Sequence, residues 1–396
     1  MAPTLVLVWQ QQQQARSRLA ACKEMRVLAQ HVVARNADCA EAWPGGGGLV
    51  AFASYELEAA GASRASAGGP AAAAQRVGEV VLARWEPRKL GLRVLHCDQT
   101  SGVFDLKWSG DGAACLAVAC ADGRVALRRG AEADPRWVSA AVAAGAGDGD
   151  GAAPFCLSLD WDNRASRASA GAARLAVSRS DGRLSLLAVR EAAMELELEW
   201  DAHALGDGVS PAEVWIAAFD PFEPALLVSG ADDGKMKTWD LRCGPVAVAT
   251  SRVHGAGVTC LQFSLHRAHE FASGSYDSCV RLWDRRAPRA PLCKELDLGG
   301  GIWRLKWHPA RPHALLVAAM RSGFQVLDTS AASAEAPPAV LAAFAAGHHA
   351  GRWEALAYGA DWLDPDSALI ASASFYDRTL RILDPGELGT PAVAAS

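Results

Sequence analysis

The sequence has no basic stripe, no paired-cysteine framework and no long apolar run. Lysine and arginine number 39 against 44 acids, a net charge of −5 with no Lys/Arg-rich run. The electrostatic footprint of a nucleic-acid binder is therefore missing. The ten cysteines are scattered and none sits at CxxC spacing. That excludes a zinc framework and fits free thiols in a reducing compartment. No apolar stretch reaches the roughly 18 residues that span a bilayer. The signatures of familiar enzymes are also missing: there is no GxSxG elbow, HExxH helix, P-loop or dinucleotide fingerprint. His266 and His269 form an HxxH on an apparent turn. The DGDG at 148–151 lacks the remaining acids of a calcium loop. No metal, cofactor, nucleic acid or membrane is expected.

What is present is a repeat. Six segments start at a turn residue and continue in apolar alternation: DGRVALR at 122, DGRLSLL at 181, DGKMKTW at 233, DSCVRLW at 277, RSGFQVL at 321 and DRTLRIL at 377. A turn followed by period-two alternation is a half-buried strand. Upstream of each stands an aromatic residue. Trp108, Phe219, Phe263 and Trp307 each precede their turn by 14 residues, Trp362 by 15 and Trp161 by 20. Successive turns lie 59, 52, 44, 44 and 56 residues apart, against about 40–45 for WD repeats. Trp239-Asp240 and Trp283-Asp284 are the WD dipeptides themselves. A degenerate copy begins near Trp43, with strands expected at 49–54 and 80–85.

These observations predict an all-β, seven-bladed WD40 β-propeller. The last blade runs out near Leu383, and RVLAQHVVAR at 26–35 reads as a strand that completes it from the N-terminus. Such closure leaves no open sheet edge. Residues 25–396 are expected to form one propeller. The Ala/Gly/Ser-rich inserts 59–75, 139–153, 164–173 and 330–343 are expected to be surface loops. Residues 1–24 read as a disordered extension or a targeting segment, and the expected location is the cytoplasm.

Function is sought on the top face, where loops join fourth strands to first and second strands to third. Trp215, Trp303, Tyr276, Tyr376, Asp232 and His203 are expected around the channel mouth. Exposed aromatics there favour recognition of a protein. Packing between blades is the alternative for Trp215 and Trp303. His254, Asp277, Trp283 and Ser273 or Ser275 have the order of the hydrogen-bonded network inside WD blades. The same residue types also make a hydrolase triad, so both readings stand. WDLR at 239–242 and WDRR at 283–286 match a WDxR box. Arg242 and Arg286 resemble the arginines that dock WD proteins to cullin-type ubiquitin ligase adaptors.

Several blade strings are more specific: LSLDW at 157–161, VWIAAF at 214–219, SGADDG at 229–234, GSYD at 274–277, GGIWRLKWHP at 300–309, YGADW at 358–362 and SFYD at 374–377. Together they resemble the WD-repeat diphthine methyl ester hydrolase family of the diphthamide pathway, also called diphthine methyltransferase. The chain departs from it in the leading 24 residues, the Ala-rich inserts and Leu383-Asp384, where a WD dipeptide would stand. The resemblance implies hydrolysis of a methyl ester on a modified histidine of elongation factor 2, giving diphthine. It assigns no catalytic residue. The chemistry itself needs an activated water and donors for the oxyanion. His254 or His203 is a candidate base, and Asp277, Asp233 or Asp377 a candidate orienter. Trp215 or Trp303 is a candidate for packing the substrate's trimethylammonium group. Asp232, Tyr276 and Tyr376 complete the expected substrate-binding set. The alternative function is a non-catalytic scaffold or ubiquitin-ligase substrate receptor.

Overall fold

The computed structural model describes residues 22–58, 75–110, 114–130, 136–141, 153–164, 172–190, 193–345 and 355–388. Its strands form seven sheets arranged as the blades of a propeller. Blade 1 holds Ala37–Ala42, Leu49–Glu58, Gln75–Glu86 and Gly91–Ser101, and blade 2 begins with Val103–Trp108. The first strands of blades 3 to 7 are Cys156–Trp161, Val214–Asp220, Val258–Phe263, Arg304–Trp307 and Ala357–Trp362. Each first strand neighbours the next, and blade 7 neighbours blade 1, so the ring is closed.

Closure follows the sequence expectation. Arg26–Val32 pairs antiparallel with Thr379–Asp384 as the fourth strand of blade 7. Lys23–Glu24 adds a short parallel strand to the outer edge of blade 6, against Ala342 and Ala343. The sequence alone assigns these two residues to a disordered extension. A two-residue pairing carries no alternation that could reveal it. Residues 1–21 lie outside the described residues, as do 59–74, 142–152 and 165–171 of the expected inserts. Two inserts contain strands instead of loop alone. Ala339–Phe344 is the outer strand of blade 6, and Arg136–Ala141 is that of blade 2. Ala339–Phe344 is rich in alanine and only half buried, so its composition resembles loop.

The evenly spaced aromatics explain how blades hold together. Trp108, Trp161, Trp307 and Trp362 end their first strands and pack between neighbouring blades. Each indole also donates a hydrogen bond to the first strand of the preceding blade. Trp108 Nε1 reaches Glu41 O (3.1 Å), Trp161 Lys107 O (2.9 Å), Trp307 Gln262 O (3.1 Å) and Trp362 Lys306 O (2.9 Å). A buried indole needs such a partner, and the bond adds about 1 kcal/mol of stability to the packing. The tight turns impose a left-handed residue: Gly234 has φ +68°, and Ser278 and Arg378 hold +69° and +55° at the equivalent position.

Candidate functional site

One layer of side chains falls at a fixed offset before the aromatic ends of the first strands. Four residues upstream stand Phe104, Leu157, Trp215, Thr259, Trp303 and Tyr358, with Asp38 in the same register of blade 1. In the strands of blades 1 to 5 and 7 the pairing register shifts across this very residue. A bulge re-aims the side chain it carries, and here the result is an aromatic rim at the channel mouth.

The rim is continuous. Phe155 lies 5.7 Å from Phe104, which lies 4.9 Å from Tyr55. Tyr55, Phe375 and Tyr358 follow at 5.0 and 4.9 Å. Trp303 stacks on Tyr358 at 4.7 Å, and Trp215 meets Trp303 edge-on at 5.6 Å. Tyr276 sits 6.2 Å from each of these two tryptophans. Trp215 Nε1 donates to Asp232 Oδ1 at 2.6 Å, which fixes that ring. The buried Nε1 of Trp303 has no hydrogen-bond partner among the described residues.

Beneath the rim the channel is charged. Arg304 of blade 6 reaches across to Asp105 of blade 2 at 3.0 Å. Burial acts to raise the pKa of Asp105, but Arg304 and Lys107 (2.7 Å) outweigh it and hold the carboxyl below its usual range. A void of about 10 Å³ lies against Arg304 beneath the rim, lined by Phe104, Leu157, Trp215, Thr259, Trp303 and Arg304. That is room for one water. At the other end a cavity of about 300 Å³ opens among the first-strand ends. There Lys306 pairs with Glu41 and with Asp361 (3.2 Å), and Arg164 pairs with Glu41 (2.6 Å) and Asp160 (3.2 Å). Burial opposes ionisation of Glu41, yet Lys306, Lys107 and Arg164 bring its pKa down to about 2.

Asp38 is the exception. It is fully buried at the rim position of blade 1. The Cys39 thiol approaches its Oδ2 at 3.1 Å, and Oδ1 has no hydrogen-bond partner among the described residues. Burial pushes its pKa up to about 7, against the weaker lowering effects of Cys39 and Arg304. The phenols of Tyr55, Tyr276 and Tyr358 are pushed up too, chiefly by burial and partly by Asp38.

The expected residues divide between two places. Trp215, Trp303, Tyr276 and Asp232 meet at the mouth. Tyr376 is half exposed beside Phe375. His203, Asp233, His254 and Asp277 instead lie within blades 4 and 5. His203 Nδ1 is 3.0 Å from Asp233, its Nε2 is 2.8 Å from Ser229 Oγ, and Trp239 Nε1 donates to the same hydroxyl at 2.8 Å. Both ring nitrogens are thus engaged. Burial lowers the His203 pKa against the opposing pull of Asp233. In blade 5, His254 Nε2 and Trp283 Nε1 share Ser273 Oγ at 2.9 and 2.7 Å. Asp277 accepts from Gly255 N (2.8 Å) and pairs with Arg281. Burial, with help from Arg281, brings His254 down to about 4. Asp377 pairs with Arg381 at 2.7 Å. Arg242 and Arg286 are exposed and fold back onto Asp240 (2.9 Å) and Asp284 (2.5 Å).

Sequence reading misses Asp38, Phe104, Tyr55, Tyr358 and Arg304. The offset shared with Trp215 and Trp303 is the available signal for the rim positions. Among the described residues no group of three or more His, Cys, Asp or Glu is placed to hold a metal ion.

A closed ring of bladed sheets, with Ser–His–Trp networks tying loops to blades, defines a WD-repeat β-propeller. The WD domain, G-beta repeat family matches residues 246–284. Proteins named diphthine methyltransferase from Homo sapiens and Mus musculus are each 37% identical over 66% of this chain. The matches cover 56% and 53% of those two proteins, so the chain spans about half their length. A Dictyostelium discoideum protein named diphthine methyltransferase homolog is 29% identical over 75% of this chain and 80% of its own. The crystal structure of a mitotic checkpoint complex contains a chain with a TM-score of 0.58 at 18% identity, covering 84% of this chain and 85% of its own; this shows the fold alone. The chain belongs to the WD-repeat diphthine methyltransferase family.

Proposed function

We propose that this protein acts in diphthamide biosynthesis by hydrolysing the methyl ester of methylated diphthine on elongation factor 2. The relatives' names say methyltransferase; our reading is cleavage of a carboxylic ester by water. The observation that carries it is the aromatic rim. Ring faces attract quaternary ammonium, a contribution of about 0.5–2 kcal/mol that grows with desolvation. The rim therefore suits a side chain that bears a trimethylammonium group beside its ester. Exposed tyrosines and the surrounding loops offer the protein substrate a flat docking face. His203 has both ring nitrogens engaged within its blade, and His254 holds Ser273 through Nε2 while its buried Nδ1 has no hydrogen-bond partner among the described residues; these contacts favour a structural part for both.

The test is methanol release from purified elongation factor 2 carrying the methyl ester, with no added methyl donor or acceptor. Stoichiometric methanol supports the reading. Folded protein that binds the factor and releases none contradicts it. A scaffold role is the second reading. It rests on the exposure of Arg242 and Arg286, which leaves both guanidinium groups reachable by a ubiquitin-ligase adaptor.

A further inference from the structure

Most channel carboxylates have a cation. Asp105 has Lys107 and Arg304, Glu41 has Lys306 and Arg164, Asp160 has Arg164, and Asp361 has Lys306. Among the described residues Asp38 has no ion-pair partner, and one of its buried oxygens lacks any hydrogen bond. An unpaired buried carboxylate is costly. It is retained here at the bulged rim position, among tyrosines of three blades. Arg304, the cation that acts on Asp38, is already held by Asp105.

We propose that Asp38 is the general base of the ester hydrolysis at the rim, an inference that rests on the function proposed above. Its carboxylate takes a proton from water as the water oxygen bonds to the ester carbonyl carbon. The carbonyl electrons move onto oxygen, where the unengaged Trp303 N–H is a donor. When the tetrahedral intermediate collapses, the carbon–methoxy bond breaks and Asp38 returns its proton to the leaving oxygen. Ester and water become carboxylic acid and methanol, and the acid then ionises. A base effective at neutral pH needs a pKa near 7, the value that burial gives Asp38. The titratable and charged groups coupled to it electrostatically are Cys39 on its own strand, Asp105, Arg304, Tyr55, Tyr276 and Tyr358. The phenols and the thiol remain neutral through this range, and Arg304 and Asp105 remain charged, so Asp38 sets the limb.

The experiment compares wild type, Asp38→Asn and Asp38→Glu on the methyl-esterified factor, with kcat and KM measured from pH 5 to 9. Wild type is expected to show an acid limb with its midpoint near 7. Asp38→Asn should lower kcat by about 10²–10⁴-fold and lose the limb, while Asp38→Glu restores part of the rate. Unchanged kcat with a raised KM in Asp38→Asn would overturn the base and make Asp38 a counter-ion for the ammonium. If Asp38→Asn fails to fold, a wild-type profile flat through pH 7 would still overturn it. Absence of hydrolysis by folded wild type would refute the function itself, and the base with it.

Discussion

Converting Asp38 to asparagine keeps the side chain's shape and removes its ionisation. The carboxyl pKa rises from the ordinary 3.8 of an aspartate to about 7 in the folded protein. Because the folded value is the higher one, its stabilising contribution is complete below about 4 and is lost as pH rises through 7. Between those values wild type loses about 1.4 kcal/mol of stability per pH unit that the variant does not lose. From pH 5 to pH 8 this amounts to about 3 kcal/mol. Urea denaturation of both proteins at the two pH values measures it. Other titrating groups cancel in the comparison. The variant should gain on wild type by about that much on going from pH 5 to pH 8. A stability difference that stays constant with pH would refute the claim that Asp38 is held unpaired in a desolvated site.

Other consequences are accessible to simpler assays. Trp303→Ala or Trp215→Ala should weaken binding of a quaternary ammonium ester by about 5- to 30-fold, from a loss of about 1–2 kcal/mol; calorimetry with a betaine ester measures this. Ser229→Ala removes the hydroxyl shared by His203 and Trp239. It should lower stability by about 1–3 kcal/mol while leaving kcat unchanged, as denaturation and steady-state rates would show. Deletion of residues 26–32 should expose the edge of Thr379–Asp384 and drive self-association visible in light scattering. Arg242→Ala with Arg286→Ala should abolish adaptor pull-down if the scaffold reading holds, and should leave ester hydrolysis intact.

The blades are legible in the sequence because alternation and turn residues repeat. The tight turns, the WD dipeptides and the first-strand aromatics each mark a position with its own physical demand: a left-handed residue, a buried indole, a contact between blades. Even the N-terminal closing strand follows, since a blade ending at Leu383 needs a fourth partner. The outer strand Ala339–Phe344 is hidden by composition, because a half-exposed edge tolerates alanine. The site is only half legible. Trp215 and Trp303 stand out as large aromatics near turns, whereas Asp38 occupies the same register with an ordinary polar residue. Its significance lies in having no ion-pair partner among the described residues, a property with no sequence signature. His203 and His254 look chemical because Ser, His and Asp serve both triads and blade networks; the distances to Ser229, Asp233 and Ser273 favour the blade network.

The most direct measurement is intact mass of methyl-esterified elongation factor 2 after incubation with this protein in heavy-oxygen water. Hydrolysis predicts loss of one CH₂ with one heavy oxygen carried into the new carboxylate. An unchanged mass, or demethylation without heavy oxygen in the carboxylate, would contradict it.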